Sequence, residues 1–387
     1  MPLTKFIGPL EPTNIAVRRC GSTLNAASKK ILIVRLGSHG DILMGTPLIK
    51  SIRDAEPNAW ITWVVERSSA EVLDANPYID ELLVWHGAEM LGRGGPHRLI
   101  ARPFRQAWLK RELATRDFDT FISFQAEELL GLSQIINAKT KIGFFDYFNV
   151  KPLSASTIEE AHKLFNYVID KAEHPVHRTM QYLSVLKYMG IGPSADLQMN
   201  LGFTEQDART VTKVLCNKGV SSNEPYAVIA PMSTWTTRNW DLSRYAAVAD
   251  FIKRELGLRV VVIGSRREVE PVRRMIELSS TRPVEVAGVF TFRGMSALIN
   301  GAKLVLGGDS GPMHVAGALS TPYVAIFGAT PINARAPMVG PGISLSASVP
   351  CGPCDWLTCS NSNHPLLCLD LISTDKVMDA CRKAVLI

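Results

Sequence analysis

The sequence predicts an α/β fold made of two domains, each with a parallel sheet. Short apolar runs alternate with helix-like segments, which is the pattern of βα units. This alternation occurs in the first half of the chain and restarts in the second, and 387 residues exceed what one ordinary core accommodates. Because open parallel sheets bind ligands at the carboxyl ends of their strands, we expect the functional site in a cleft between the domains.

In the first half, apolar runs predict strands at 31–36, 60–65, 82–85 and 118–124. Helices are expected at 45–56 and 68–74. Residues 87–108 interrupt this order, because they combine glycines with Arg93, Arg98, Arg102 and Arg105. We interpret them as an inserted basic loop outside the core.

In the second half, strands are predicted at 226–230, 259–264, 304–307 and 323–328. The helical segments are expected at 242–256, 268–277, 295–300, 313–319 and 374–385. Turn residues and a change of composition across 190–224 indicate a domain boundary there. The predicted division is a loosely ordered extension at 1–29, a first domain at 30–205 and a second domain at 206–387.

The composition is that of a globular protein, with 46% apolar and 20% charged residues. No apolar run approaches the roughly 20 residues that cross a bilayer. The first 30 residues lack the continuous apolar stretch of a secretory signal, so a cytoplasmic location is expected. The net charge of +6 favours an acidic partner such as a nucleotide or an anionic lipid, although spread-out surface charge explains it equally well.

The clearest anion site is LVLGGDSGPMHVAGAL, residues 304–319. A buried strand runs into two glycines, and Asp309, Ser310 and Pro312 then give the signals of a helix start. The free N–H groups and the positive end of such a helix suit a phosphate. A capped turn that binds nothing is the alternative.

A second candidate is PMSTWTTRNWDLSRY, residues 231–245, which also follows a predicted strand. Its hydroxyl side chains include Ser233 and Thr237, and Arg238 supplies a permanent cation that can bind a phosphate with two hydrogen bonds. The alternative is a polar loop whose tryptophans pack locally. Two such turns in one half of the chain could hold a diphosphate.

The turn within ILIVRLGSHGDILMGTP, residues 31–47, carries an acid instead of a phosphate fingerprint. Asp41 lies in the other half of the chain, so it would face the two candidate turns across the cleft. There it could act as a general base on an attacking hydroxyl, or it could cap a helix that begins near Ile42. His39 beside it either binds an acceptor or lies exposed.

These motifs together resemble the ADP-heptose:lipopolysaccharide heptosyltransferases of glycosyltransferase family 9. The resemblance rests on GSHGD at 37–41, TTRNW at 236–240, GGDSGPMH at 307–314 and FGATP at 327–331, and it covers about residues 30–385. It implies a GT-B fold, with an acceptor-binding Rossmann-like domain at 30–205 and a nucleotide-sugar-binding Rossmann-like domain at 206–387 facing each other across a central cleft. It also implies inverting transfer of heptose from an ADP-sugar, without a catalytic divalent metal.

The resemblance assigns roles to individual residues. Asp41 matches the proposed base, and Arg238 stands where most members have a lysine that binds the diphosphate. The donor-binding set is Ser233, Thr237, Arg238, Asp309, Ser310, Gly311, Met313 and His314. The acceptor-binding set is predicted from the residues themselves and comprises His39, Gly40, Arg93, Arg98 and Arg102. The three arginines belong to the basic insertion, which would suit an anionic lipid A–Kdo acceptor at the inner membrane surface.

Cysteines cluster near the end of the chain as Cys351, Cys354, Cys359 and Cys368. A C-x₂-C pair followed by two more thiols is a spacing that can bind a structural zinc or iron ion. Packed reduced thiols or a redox-labile disulfide are the alternatives.

Three other functions predict different sequence features. A dinucleotide-dependent oxidoreductase predicts G-x-G-x-x-G after a first strand, and neither half has it. A nucleic-acid-binding protein predicts clustered cations with interleaved aromatic residues, which only 87–108 approaches. A related glycosyltransferase that uses another nucleotide-sugar, or a protein or small-molecule acceptor, stays open.

Overall fold

The computed structural model describes residues 17–19, 28–85, 110–124, 130–145, 154–170 and 177–387. This part of the chain forms two sheets, one in each half, with helices packed on their faces. The predicted α/β class is therefore confirmed. The predicted boundary at 205/206 falls between the last strand of the first sheet and the first strand of the second, and it remains a prediction as a domain limit.

The first sheet has seven strands within the described ranges, in the order β1-β4-β3-β2-β5-β6-β7. They are β1 (Val17–Arg19), β2 (Lys30–Val34), β3 (Trp60–Glu66), β4 (Glu81–Trp85), β5 (Asp117–Ser123), β6 (Asn137–Phe145) and β7 (Tyr167–Asp170). Only β1 pairs antiparallel, at the edge beside β4. β1 lies inside the extension at 1–29, whose loose order remains a prediction.

The second sheet is parallel throughout, in the order β10-β9-β8-β11-β12-β13. Its strands are β8 (Tyr226–Ala230), β9 (Arg259–Val262), β10 (Val284–Glu285), β11 (Leu304–Gly308), β12 (Tyr323–Phe327) and β13 (Gly342–Ser346). Four of these match the predicted runs. The strands β10 and β13 were not predicted, because the first is very short and the second is half exposed.

The helices cover the faces of both sheets. They are α1 (His39–Ala55), α2 (Leu130–Ser133), α3 (Ala155–Leu164), α4 (Arg178–Leu183), α5 (Glu205–Asn217), α6 (Leu242–Glu255), α7 (Val269–Leu278), α8 (Phe292–Asn300), α9 (Gly311–Ala318), α10 (Ile332–Arg335), α11 (Leu367–Asp370) and α12 (Thr374–Val385). Short 3₁₀ turns are found at Arg67–Val72, Ser184–Met189 and Thr236–Arg238.

Side-chain caps explain where several helices begin. Thr204 forms a reciprocal capping box with Asp207 at the start of α5, and the Asp241 carboxylate accepts from two backbone N–H groups at the start of α6. The segment 68–74 is a 3₁₀ turn rather than the expected helix. The helix predicted at 45–56 begins six residues earlier, at His39, because the glycine turn of the motif is already helical.

Both sheets have the strand order of a doubly wound fold, so each has one point where the order reverses. In the first sheet this point lies between β2 and β5, and α1 begins there. In the second it lies between β8 and β11, where the turns at 231–239 and 309–311 begin. Because ligands bind at such points, the topology directs one turn of the first half and two of the second toward a shared cleft.

A continuous apolar core fixes how the halves sit against each other. One cluster of buried side chains runs from Ile31 and Trp63 of the first half to Val315 and Phe327 of the second. The central strands are buried on both faces, as expected for parallel sheets that carry helices on each side. Among the described residues, none of the helices is both long and apolar enough to cross a membrane.

Candidate active site

A cavity of about 390 Å³ lies between the two halves at these strand ends. Most of the residues predicted to bind donor or acceptor line it. They are His39, Gly40, Asp41, Ser233, Arg238, Asp309, Ser310, Gly311 and His314. The structure therefore brings together side chains that lie up to 275 positions apart in the sequence, between His39 and His314.

The first turns of α1 and α9 meet in this cavity. A methyl group placed on Gly40 would lie 3.4 Å from His314 Cδ2 and 3.9 Å from Gly311 Cα. Gly40 thus permits a close approach that a larger residue would hinder. Since each helix begins with unpaired N–H groups and the positive end of its dipole, both helices present partial positive charge to the same space.

Asp41 occupies the first turn of α1 and is 7% exposed. It is not the cap of the helix, because the N-cap residue is Ser38, whose hydroxyl donates to Asp41 Oδ2 at 3.2 Å. The capping alternative for Asp41 is therefore wrong. Its carboxylate is instead directed into a group of cations.

Three guanidinium groups surround this carboxylate. Arg35 Nη2 lies 2.8 Å from Oδ2, whereas Arg178 Nε and Arg335 Nη1 lie 3.5 and 3.4 Å from Oδ1. Burial alone would raise the pKa of Asp41, but the cations of Arg35, Arg178 and Arg335 outweigh it and hold that pKa well below its usual range. Asp41 is therefore ionised and, in this arrangement, only a weak base.

The three arginines were not found from the sequence. Arg35 directly follows β2, so its position at the strand end was a usable signal. Arg178 and Arg335 begin α4 and end α10, in segments with no phosphate or sugar motif of their own. Only the folded chain places them beside Asp41.

On the opposite wall, Asp309 follows β11 and is 3% exposed. Arg238 Nε lies 3.1 Å from Asp309 Oδ2, and the Arg238 guanidinium stacks 3.6 Å above the Trp235 ring. The Ser233 hydroxyl donates to the Asp309 carbonyl at 3.2 Å and joins the two turns. The Asp309 carboxylate and the Trp235 ring thus orient the Arg238 guanidinium at the cavity wall.

Ser310 is the N-cap residue of α9, as the sequence indicates, with Pro312 in the first turn. Its hydroxyl does not cap the helix but donates to the Gly308 carbonyl at 3.3 Å. The Gly311 N–H at the start of α9 is therefore not taken by a side-chain cap, whereas Pro312 has no N–H and the Met313 N–H donates to the Ser310 carbonyl at 3.1 Å. This arrangement leaves the helix start suited to an anionic ligand.

His314 lies one turn into α9 and is 4% exposed. Burial is the main cause that lowers its pKa to about 4, against the opposing charges of Asp309 and Asp41. It is therefore neutral at pH 7. Its Nδ1 atom has no hydrogen-bond partner within the described part of the chain.

Two predicted donor-binding residues do not line the cavity. Thr237 is 1% exposed, and its hydroxyl donates to the Trp356 carbonyl at 2.7 Å, on the side of the cysteine-rich segment. Met313 is also 1% exposed and packs into the core beneath β11. Both residues therefore pack behind the cavity wall formed by the turns at 231–239 and 309–311.

His39 is half-buried, so the alternative that it lies exposed is wrong. Its Nε2–H donates to the Ser68 carbonyl at 2.8 Å, and its ring stacks on Phe292 with centroids 5.2 Å apart. Because Phe292 belongs to the second half, this stack closes one rim of the cleft. Arg293 continues the seam with an ion pair of 2.9 Å to Asp74.

The structure adds an apolar wall and one acid that the sequence did not reveal. Met232, Ile263, Val286 and Phe290 line the cavity on the side of the second sheet. Glu268 also lines it, and its Oε2 accepts from the Ser265 N–H at 2.6 Å. These residues come from the ends of several strands, and no local motif marks them.

Arg93, Arg98 and Arg102 lie outside the described residues, so their acceptor-binding role remains a prediction. The cysteine prediction can be compared with the structure. Cys351, Cys354, Cys359 and Cys368 line one small cavity of about 20 Å³, next to Thr237. The Leu366 N–H donates to Cys359 Sγ at 3.4 Å.

In this structure, however, the described residues include no group of three or more metal-ligating side chains arranged to hold an ion. The four thiols are unpaired as disulfides. A structural zinc or iron ion therefore stays a prediction. The segment itself has a visible role, because it packs against the back of the turn that carries Arg238.

Comparison with known proteins agrees with this site. The model of glycosyltransferase family 9 (heptosyltransferase) matches residues 107–364, more than half of the chain. Lipopolysaccharide heptosyltransferase 3 of Escherichia coli is 28% identical over 296 residues, covering 76% of this chain and 81% of the relative.

Two solved structures show the same fold. A glycosyltransferase of family 9 from Veillonella parvula has a TM-score of 0.76 and 23% identity, covering 94% of this chain and 98% of its own. The E. coli heptosyltransferase WaaC, solved with ADP-2-deoxy-2-fluoro heptose, has a TM-score of 0.62 and 18% identity, covering 92% and 99%. With the GT-B arrangement of two facing sheets and the family match, the chain belongs to glycosyltransferase family 9 and is a glycosyltransferase.

Proposed function

We propose that this glycosyltransferase moves heptose, with inversion, from ADP-heptose to an acceptor hydroxyl in the inner core of lipopolysaccharide. The observation that carries the proposal is the shared cavity, where Asp41 faces the first turn of α9. One carboxylate and one anion site on opposite walls are what a single displacement at a sugar carbon needs. The relatives named above, which are heptosyltransferases, support the choice of sugar.

The donor would lie against the second half. Its diphosphate suits the start of α9 at Ser310 and Gly311, with Arg238 as the neighbouring cation. The apolar wall beside Phe290 suits an adenine ring, and the Glu268 carboxylate can accept hydrogen bonds from ribose hydroxyls. Donor specificity would thus come from residues that the sequence motifs do not include.

The acceptor would approach from the first half. As its oxygen bonds to the sugar carbon, its proton passes to the Asp41 carboxylate, and the bond from that carbon to the phosphate oxygen breaks. The electron pair leaves with ADP. Arg238 and the start of α9 stabilise the negative charge that gathers on the leaving ADP.

For the acceptor we propose a lipid A–Kdo type molecule, met at the cytoplasmic face of the inner membrane. The support is the basic insertion at 87–108, whose Arg93, Arg98 and Arg102 suit an anionic molecule. A related reaction with another nucleotide-sugar, or with a protein or small-molecule acceptor, is the alternative that the experiment must separate.

A donor and acceptor screen tests the proposal. The protein is incubated with ADP-heptose, ADP-glucose, UDP-glucose and GDP-mannose, each with a lipid A–Kdo acceptor and with no acceptor, and nucleotide release is followed. We expect acceptor-dependent release from ADP-heptose alone. Release from a UDP- or GDP-sugar instead, or no binding of any ADP-sugar, would contradict the proposal.

A further inference from the structure

Arg335 is the cation through which the second half of the chain reaches the carboxylate of the first. It ends α10, the short helix that follows the FGATP segment, and it is 7% exposed. Its Nη1 lies 3.4 Å from Asp41 Oδ1, whereas Arg35 makes a tighter contact of 2.8 Å to Oδ2. Arg35 and Arg178 belong to the same half as Asp41, so of these three contacts only that of Arg335 crosses the cleft.

The Arg335 guanidinium also has hydrogen-bonding capacity left. Its Nη2 atom is enclosed and has no hydrogen-bond partner among the residues that the structure describes. An enclosed donor without a partner is costly, and in native proteins it commonly indicates a water or ligand. Arg335 lines the same cavity as Ser310, Gly311 and His314, and the Nδ1 atom of His314 likewise lacks a partner in the described ranges.

We propose that Arg335 is shared between Asp41 and the diphosphate of the nucleotide-sugar donor, so that donor binding draws the guanidinium from the carboxylate and prepares Asp41 to accept a proton. The identity of the ligand rests on the proposed function. The diphosphate is the group of an ADP-sugar that carries full negative charge, and the start of α9, which suits that charge, lines the same cavity as Arg335.

The main chain around Arg335 is held while its side chain can turn. The neighbouring Ala336 carbonyl accepts from His177 Nε2–H at 2.7 Å. His177 Nδ1 accepts the Thr179 N–H at 3.2 Å, which leaves the hydrogen on Nε2 for this contact. Rotation about the Arg335 side-chain bonds can therefore move its charge without opening the seam between the halves.

The charged and titratable groups around Asp41 show what a movement of the Arg335 guanidinium would change. Arg35 approaches it from the end of β2, Arg178 from α4 and Arg335 from α10, with Arg238 and His314 farther across the cavity. A base held by three cations binds a proton poorly. Drawing one cation toward the diphosphate raises the proton affinity of Asp41 when the donor is in place, and by reciprocity the charge on Asp41 affects donor affinity.

The test compares R335Q, the charge-retaining R335K and a control, R273Q. Arg273 is an exposed residue of α7 that pairs with Glu285 away from the cavity. For each folded variant, ADP affinity is measured by calorimetry at pH 7.5. The effect of D41N on ADP affinity is then compared in the wild-type background and in the R335Q background.

We expect R335Q to weaken ADP binding about 10-fold. We also expect D41N to strengthen ADP binding in the wild-type background, because it releases the Arg335 guanidinium for the diphosphate, and to have a smaller effect in R335Q, where there is no guanidinium to release. R335K should keep part of the ADP affinity because it keeps the charge, while R273Q should match the wild type throughout.

Unchanged ADP affinity in R335Q, or an equal effect of D41N in both backgrounds, overturns the inference. Equal losses of ADP affinity in R335Q and R335K would show a purely structural role and would overturn it as well. Failure of the proposed function has a different signature, because the wild-type protein would then transfer no heptose. If the wild-type protein binds ADP without transfer, the loss of ADP affinity in R335Q still decides whether Arg335 contacts the diphosphate.

Discussion

The two walls of the cavity each present a buried carboxylate directly after a strand and a glycine turn, yet the surroundings of the two acids differ. Asp41 is 7% exposed and meets guanidinium groups from the end of β2, from α4 and from α10. Asp309 is 3% exposed, and the cation that pairs with it is Arg238 from the neighbouring turn. Similar local sequences therefore produce different electrostatic environments, and the difference comes from distant parts of the chain.

Under the proposed function, this difference implies a division of work between the two walls of the cavity. The Asp309 wall holds its cation where a phosphate can also bind it. The Asp41 wall concentrates positive charge around the carboxylate that takes the acceptor proton. Loss of Asp41 should therefore affect the chemical step, and loss of Arg238 should affect donor binding.

The largest effect is expected for Asp41→Asn. Without the carboxylate no side chain takes the acceptor proton, so we expect kcat to fall about 1,000-fold. ADP affinity should not weaken, because an anion is removed and the cations remain. Initial rates and calorimetry measure the two quantities, and near-normal turnover would show that Asp41 is not the base.

Asp41→Asn should also lower stability, because it leaves buried cations without their anion. The loss is expected to be about 3 kcal/mol at neutral pH. The pKa of Asp41 is lower in the folded protein than in the unfolded chain. The stabilisation from the ionised form is thus fully present above about pH 4 and is lost as the pH falls below that value. Denaturant unfolding at pH 7 and pH 3.5 would show the difference between wild type and variant shrinking at the lower pH.

A smaller effect is expected for Arg238→Ala. Removal of the guanidinium takes away a charged donor from the diphosphate and leaves Asp309 unpaired. We expect ADP to bind about 10- to 100-fold more weakly. Arg238→Lys is the matched variant, because it keeps the charge but loses the stacking on Trp235 and the ability to make two parallel hydrogen bonds to a phosphate. Its loss of ADP affinity should therefore be intermediate. Equal ADP affinity in all three proteins would contradict the division of work between the two walls.

The acceptor side can be tested through the basic insertion. We expect reversal of Arg93, Arg98 and Arg102 to glutamate to raise the acceptor KM about 10-fold, because an anionic acceptor loses three attractive charges. ADP affinity should stay unchanged.

The control reverses three exposed cations of the second half with the same change of net charge, namely Arg209, Lys213 and Lys218. If both triple variants lose acceptor use equally, overall charge rather than the insertion would be responsible.

The smallest effect is expected from the cysteine-rich segment. Thr237 and Thr236 donate to the carbonyls of Trp356 and Leu357, so this segment supports the turn that carries Arg238 from behind. If Cys351, Cys354, Cys359 and Cys368 bind a structural metal, protein purified without chelator should carry about one zinc or iron ion per chain.

Removal of that ion should lower the melting temperature and weaken ADP binding a few-fold, by loosening the turn. The control is Cys216→Ser, since Cys216 is exposed on α5 and lies outside the cysteine cavity. Elemental analysis that finds no metal would contradict the metal prediction, and the contacts of Thr236 and Thr237 would remain as the role of the segment.

The sequence was most informative where a signal is local. Strands of branched apolar residues, the start of α9 at Ser310 and the turn with Arg238 all followed from short patterns. It was less informative for β6, where polar and apolar residues alternate. It was also less informative for the start of α1, because the glycine turn at His39 is already part of the helix.

The site was predicted in outline but not in its electrostatics. Arg178 and Arg335 act on Asp41 through tertiary contacts, and no pattern of neighbouring residues indicates such a contact. Thr237 shows the reverse case. Its place in a motif suggested a ligand, whereas the fold turns its hydroxyl toward the Trp356 carbonyl.

The close approach of α1 and α9 at Gly40 has a consequence for mutagenesis. Part of the positive potential in the cavity belongs to the peptide groups at the two helix starts, and substitution of a side chain by alanine leaves those groups in place. Alanine scanning will therefore underestimate how strongly the cleft attracts anions, and variants that lack a cavity arginine should retain some nucleotide affinity. A bulkier residue at Gly40 would disturb this main-chain contribution by forcing the two helix starts apart.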